Sequence, residues 1–204
     1  MAGKTKLALS DYELQLVHNS GWILTKQQVM TKATELLALA AENMKGPWDR
    51  YPYDKLRGLP AANPKISKGE NYRQLPWVLL DYPRYFDKEN VFAVRSFFWW
   101  GHFFSITLQL SGTHKLFFQE ALLQRLQENT GNDYFICINE DPWQHDFGES
   151  NYALVSSVTG DALAQHIHDK AFIKLARKFP LEAWETIPVL LETAFEELLQ
   201  LIRP

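Results

Sequence analysis

Basic and aromatic side chains interleave between residues 65 and 102, where Lys65, Lys68, Arg73, Arg84, Lys88 and Arg95 stand among Tyr72, Tyr82, Tyr85, Trp99, Trp100 and His102. A guanidinium presents a flat fork of N–H donors that matches a carboxylate or phosphate, and aromatic rings supply faces for the rest of a ligand. Such a set suits an anionic small molecule or a peptide. Lys68, Tyr72, Arg73, Arg84 and Arg95 are the side chains expected to bind it. Arg95 is the sharpest of them, because an arginine in the middle of an apolar stretch needs a partner. Asp81 is the obvious internal one, and an ion pair between the two is the simpler reading. Asp81, Tyr82 and Arg84 around Pro83 read equally well as a structured turn.

A second constellation is acidic. No lysine or arginine occurs between Arg125 and Lys170, while Glu128, Asp133, Glu140, Asp141, Asp146, Glu149, Asp161 and Asp169 do, together with His145, His166 and His168. Oxygen-rich clusters suit hard cations, and histidine pairs suit zinc, nickel or iron. A metal-dependent enzyme using segment 139–168 is therefore one alternative. The spacing is not that of an EF-hand loop. His166 and His168 would share a face only in an extended chain, where a short helix is expected. A solvated acidic loop is the simpler account, and no metal ligand is assigned.

Other chemistry is absent from the sequence. There is no G-x-G-x-x-G or Walker pattern, and the serines lack the small-residue elbow of a hydrolase nucleophile. Glu70, beside Tyr72 and Arg73, could act as a base but reads as a loop salt bridge. Cys137, the lone cysteine, lies in the apolar run Tyr134–Ile138 and reads as an inert buried thiol. No catalytic residue or cofactor is assigned.

The elements that must position these residues follow from periodicity. Ser10 and Glu13 form a capping box that opens a short helix, and Gly21 is expected to end it. A longer helix is expected from Thr25 to about Lys45, closed by Gly46 and Pro47. Pro47 to Gln74 reads as irregular chain. Leu75–Asp81, Val91–Trp100 and Phe103–Leu110 read as an antiparallel meander, the last alternating Phe104, Ile106, Leu108 and Leu110 against Ser105, Thr107 and Gln109. The aromatic run Phe97–Phe104 is expected to fill a core on both faces. Thr113–Asn129 reads as a helix, Tyr134–Ile138 and Tyr152–Val158 as strands, and Gly160–His168 as a short helix. Phe172–Phe179 reads as an edge strand, and a final helix begins near Pro180 or Pro188. The sum is one α+β domain over residues 1–204: a mostly antiparallel sheet of five to six strands, with helices from both chain ends packed on it.

Composition bounds the rest. The chain has 204 residues and a formal charge of −3, without the basic excess of a nucleic-acid binder. No apolar run reaches the roughly 20 residues that span a bilayer, and the N-terminus lacks a signal peptide's apolar stretch. A cytoplasmic protein with no nucleic-acid or membrane partner is expected.

The run from Lys68 to Gly112, KGENYRQLPWVLLDYPRYFDKENVFAVRSFFWWGHFFSITLQLSG, resembles bacterial proteins of unknown function of similar length. The resemblance extends to the Leu- and Glu-rich C-terminal end and implies no activity, cofactor or site residue. The expected function is a non-enzymatic binding or accessory module, with its site near segment 65–100. A homodimer formed through Phe172–Phe179 or an aromatic surface is the other alternative.

Overall fold

The computed structural model describes residues 7–51, 63–128, 133–158 and 160–203. Seven strands, β1 (Lys65–Tyr72), β2 (Leu75–Phe86), β3 (Val91–Trp99), β4 (Phe103–Ser111), β5 (Phe135–Cys137), β6 (Tyr152–Leu154) and β7 (Phe172–Phe179), form one antiparallel sheet in the order β1-β2-β3-β4-β7-β5-β6. Five α-helices accompany it among the described residues: α1 (Asp11–His18), α2 (Ser20–Asp49), α3 (Gly112–Glu128), α4 (Gly160–Asp169) and α5 (Ile187–Leu201). The α+β class is as expected.

The sheet has one strand more than expected. β1 falls in chain that reads as irregular, because a half-exposed edge strand carries little apolar signal. Phe172–Phe179 is corrected in the other direction. It is no edge but an interior strand, paired with β4 along its length and with β5 at Leu175 and Ala176. A homodimer through Phe172–Phe179 therefore loses its edge-strand basis. The strand expected at Tyr152–Val158 stops at Leu154 and turns into a 3-10 turn over Val155–Ser157.

Side chains alternate across the sheet. On one face Val78, Leu80, Phe92, Val94, Phe98, Phe104, Ile106, Leu108, Leu110, Ile173 and Leu175 form the main core with the helices. α2 supplies Met30, Ala33, Leu37, Ala40 and Met44, and α5 supplies Ile187, Leu191, Ala194, Phe195 and Leu198. Packing overrides local breakers here. α2 starts at the Asn19 cap, whose side chain accepts from Trp22 N at 3.2 Å, and runs through both Gly21 and Gly46-Pro47. The expected stop at Gly46 gives way because Pro47 lies in the last turn and is itself buried. The Ser10–Glu13 capping box is present as expected.

The hairpin between β2 and β3 fixes the start of α3. Asp87 accepts from the backbone of Glu89 and Asn90, at 2.8 and 2.6 Å. Asn90 Oδ1 then accepts from Thr113 N and Thr113 Oγ1, both at 2.8 Å. A side chain from a distant turn thus satisfies an N–H that the helix start would leave orphaned.

Candidate functional site

The opposite face of the sheet is polar at its centre. Asp81 pairs in register with Arg95, Arg95 with Thr107, and Thr107 with Ala176; two residues along, Ala93 pairs with Gln109 and Gln109 with Lys174. Facing residues, and residues two apart, project from the same side of a sheet. Asp81, Arg95, Thr107, Gln109 and Lys174 therefore share one face across β2, β3, β4 and β7, and all are buried. Lys174 is 0% exposed.

They are buried by the loop between β5 and β6. The Tyr72 hydroxyl accepts from His145 N at 2.7 Å and Asp146 N at 3.2 Å. Lys174 Nζ donates to the Gln144 carbonyl at 2.6 Å, and Arg73 Nη2 lies 2.6 Å from Asp146 Oδ2 as an ion pair. Asn151 Nδ2 donates to the Asp146 carbonyl at 2.5 Å. The His145 ring packs 4.9 Å from that of Phe97 and 5.5 Å from that of Tyr72. Burial, with Lys174 and Arg95 nearby, holds its pKa well below the usual imidazole value, so it is neutral at pH 7.

Arg95 lies at the centre. Its Nε donates to Asp81 Oδ1 at 2.7 Å, and its guanidinium lies 5.7 Å from the Phe86 ring and 5.4 Å from that of Trp143. Phe86 and Trp143 are 38% and 50% exposed, and their rings pack on each other at 6.3 Å between centroids, covering the buried cation. Arg95 Nη1 and Gln109 Oε1, one a donor and one an acceptor, are buried without hydrogen-bond partners among the described residues. Leaving such groups unmatched costs about 1–3 kcal/mol each, more where charge is involved. Burial pushes the Lys174 ammonium down to about 8, reinforced by Arg95 and opposed by Cys137, Asp141 and Asp146. Thr107 hydrogen-bonds the Tyr152 phenol, whose pKa burial drives well above its usual value.

The expected site residues divide. Arg95 is inside this face, paired with Asp81 as the simpler reading had it, yet with Nη1 left over. Tyr72 and Arg73 hold the covering loop. Arg84 Nε donates to the Asn63 carbonyl at 3.3 Å. Lys68 is exposed on β1 and pairs with Val78, which faces the helices, so it points away from Arg95. The structure therefore does not converge Lys68 and Arg84 on one ligand with Arg95.

Lys174, Gln109 and Trp143 were not identified from sequence. Their signal was nevertheless present. Lys174 alternates with apolar Ile173 and Leu175, and once β7 is interior such a lysine has to be buried.

Among the described residues no group of three or more His, Cys, Asp or Glu side chains is arranged to hold a metal ion. His166 and His168 lie on the helix α4 and part company: His166 Nε2 meets the Cys137 carbonyl at 2.8 Å and His168 Nε2 meets Glu120 at 2.9 Å. Glu140 pairs with Lys170, and Asp141 accepts from Trp143 N and Gln144 Nε2. Cys137 is buried, and burial pushes its thiol pKa up, in keeping with an inert thiol. A separate cleft of about 370 Å³ lies between the ends of α2 and α5. Its walls mix Arg50 and Arg203 with Glu196 and Glu197, so it favours neither sign of charge.

No family model, curated protein or solved structure matches the chain. Among the described residues no helix is long and apolar enough to cross a membrane. Function has to be read from the side chains themselves.

Proposed function

We propose that this protein is a binding module for a small anion, held by Arg95 on the loop-covered face of the sheet. The observation that carries the reading is Arg95 Nη1, a cationic donor buried without a partner beneath the exposed pair Phe86 and Trp143. A carboxylate or phosphate oxygen completes that donor, and Lys174 on the same face adds positive charge. The rings of Phe86 and Trp143, 6.3 Å apart, have to part for a ligand to reach Nη1, which favours a small or flat one, whether a free molecule or the acidic side chain of a peptide. A buried lone thiol fits a reducing compartment, so we place the protein in a cytoplasm, and the resemblance of residues 68–112 points to a bacterial one.

Thermal unfolding in acetate, oxalate and phosphate, against chloride at matched ionic strength, tests this. Ligand at a hundred times its Kd stabilises the fold by about 2.7 kcal/mol. Wild type should gain stability with at least one of these anions, and the double variant Asp81→Asn/Arg95→Gln should not. Equal responses in both proteins, or none in wild type, would sink the reading.

A second reading is homodimerisation through the N-terminal arm. α1 buries no residue; Tyr12, Leu14 and Val17 on it, Leu7 before it, and Ile23 and Leu24 at the start of α2 all stand exposed. Pairing of two copies about a two-fold axis would cover some of these apolar side chains. Light scattering over a concentration series decides it, with a clean monomer at high concentration as the contrary result.

A further inference from the structure

The cleft between the ends of α2 and α5 sets charged side chains of both signs beside an apolar lining. At about 370 Å³ it falls within the range of small-molecule sites, roughly 300–1,000 Å³. Its apolar part is Pro47, Tyr51 and Leu199, all buried. The Tyr51 hydroxyl donates to the Ile202 carbonyl at 2.7 Å, which ties the two helix ends together. Both helices finish here, and neither has a basic residue in its last turn. Their C-terminal ends therefore lend the cleft negative potential.

Two of its charged groups are anchored and only partly used. Glu197 Oε2 accepts from the Tyr134 hydroxyl at 2.7 Å and from Arg177 Nη1 at 2.9 Å, and Tyr134 is fully buried. The carboxylate is thus fixed by two donors, while Oε1 has no partner among the described residues and the side chain stays 39% exposed. Arg203 is fixed through its backbone: its N–H donates to the Gln200 carbonyl at 3.2 Å, and its own carbonyl accepts from Arg125 Nη2 at 2.9 Å. Its guanidinium makes no ion pair or hydrogen bond with the described residues. Arg50 and Glu196, the other charges of the lining, approach only to 3.6 Å, longer than an N–H···O hydrogen bond. An exposed pair of this kind contributes at most about 1 kcal/mol and yields to a ligand.

We propose that this cleft binds a free α-amino acid with an apolar side chain, at a site separate from Arg95 and independent of the anion reading. The ammonium goes to Glu197 Oε1, where the two helix C-termini add to its attraction. The carboxylate goes to the Arg203 guanidinium, whose forked N–H groups match it. Glu197 and Arg203 are six residues apart, about 9 Å at the helical rise, a gap that two side chains and one amino acid span. The ligand's own side chain lies on Pro47, Tyr51 and Leu199. A simple anion would set a second negative charge beside Glu197, and a simple cation a second positive one beside Arg203. The mixed lining therefore favours a zwitterion over either.

The test is amide NMR on the intact protein, titrated with leucine or phenylalanine up to about 10 mM. N-acetylleucine, which lacks the ammonium, and leucinamide, which lacks the carboxylate, are the controls. At least one of the two amino acids should shift the amides of Tyr51 and of residues 199–203. Each blocked form should bind about tenfold or more weaker, the loss of one charge-assisted hydrogen bond. Arg203→Gln changes an exposed residue beyond the end of α5. It should weaken the amino acid by about tenfold or more and leave leucinamide unchanged. Equal binding of the blocked forms overturns the proposal, as does an Arg203→Gln variant that binds as wild type does. Absence of shifts at these amides with both amino acids also overturns it. Shifts that gather around Arg95 instead, and follow N-acetylleucine as closely as leucine, belong to the anion site and overturn this one.

Discussion

The hydroxyl of Tyr72, at the end of β1, accepts the backbone N–H of His145 at 2.7 Å, across a sequence separation of 73 residues. The same oxygen takes Asp146 N–H at 3.2 Å, so one phenol organises the turn of the loop that closes the polar face. Tyr72 in turn packs edge-on to Phe97 and Trp99, with ring centroids 5.6 and 5.1 Å away. An aromatic anchor on an edge strand therefore decides where the covering loop sits.

Tyr72→Phe keeps the ring packing and removes the acceptor. Backbone N–H groups left without a partner should cost about 1–3 kcal/mol. Native-state hydrogen exchange should show faster exchange at His145 and Asp146, with little change in β2–β4. Unchanged protection at those amides would contradict the anchoring role.

Asp81 and Arg95 are both buried, so removing either alone strands a charge. Asp81→Asn and Arg95→Gln should each destabilise by about 3–5 kcal/mol. The double variant should cost less than the sum of the two by more than about 1 kcal/mol. Urea unfolding of the three variants measures the cycle, and simple additivity would show that the pair is not coupled.

Lys174 should leave a mark on the pH dependence of stability. Its folded-state pKa is pushed down to about 8, while the unfolded chain titrates near about 10.4. Between those values the unfolded state binds more protons, so this residue makes stability rise with pH; below them the cost of burying its charge is fully present. Lys174→Met should lose that dependence, so the stability difference between variant and wild type should change by up to about 3 kcal/mol from pH 7 to pH 10. Cys137, whose thiol is raised by burial and held lower by Lys174, acts in the opposite sense; without the lysine's charge its thiol rises further, which adds to the difference with the same sign. Parallel urea midpoints at pH 7, 8.5 and 10 would refute the shift.

Gly112 joins β4 to α3 at a φ of +57°, and a Cβ there would come within 2.3 Å of Asn90 Oδ1 and 2.7 Å of the Glu89 carbonyl. Gly112→Ala combines a left-handed backbone with a clash against the group that caps α3. A loss of about 1–3 kcal/mol is expected. Gly101→Ala is the informative contrast: it too has a positive φ, +74°, but nothing lies within 4 Å of its Cβ position. It should be the milder of the two by thermal denaturation.

Much of this fold is legible in the residues. The alternation Phe104, Ile106, Leu108, Leu110 against Ser105, Thr107, Gln109 predicts β4 with a polar face, and the proposed site is on that face. Arg95 stands out for the same reason, and Asp81 is its partner as read. Three things are not legible. β1 is too polar to announce itself, because an edge strand need not bury both faces. Pro47 and Gly21 fail as helix stops, because packing of α2 on the sheet and α5 outweighs local propensity. The edge assignment of Phe172–Phe179 fails because which strands neighbour it depends on the path of the whole chain.

The sequence by itself determines the element types, the α+β class and the two-faced character of the sheet, since periodicity and burial preference are local properties. Strand order is not local. Only the tertiary structure places β7 between β4 and β5, sets Lys174 beside Gln109 and on the face of Arg95, and lays the 139–151 loop over them. The physical reason is that a long-range register, once chosen by core packing on one face, dictates which polar side chains meet on the other.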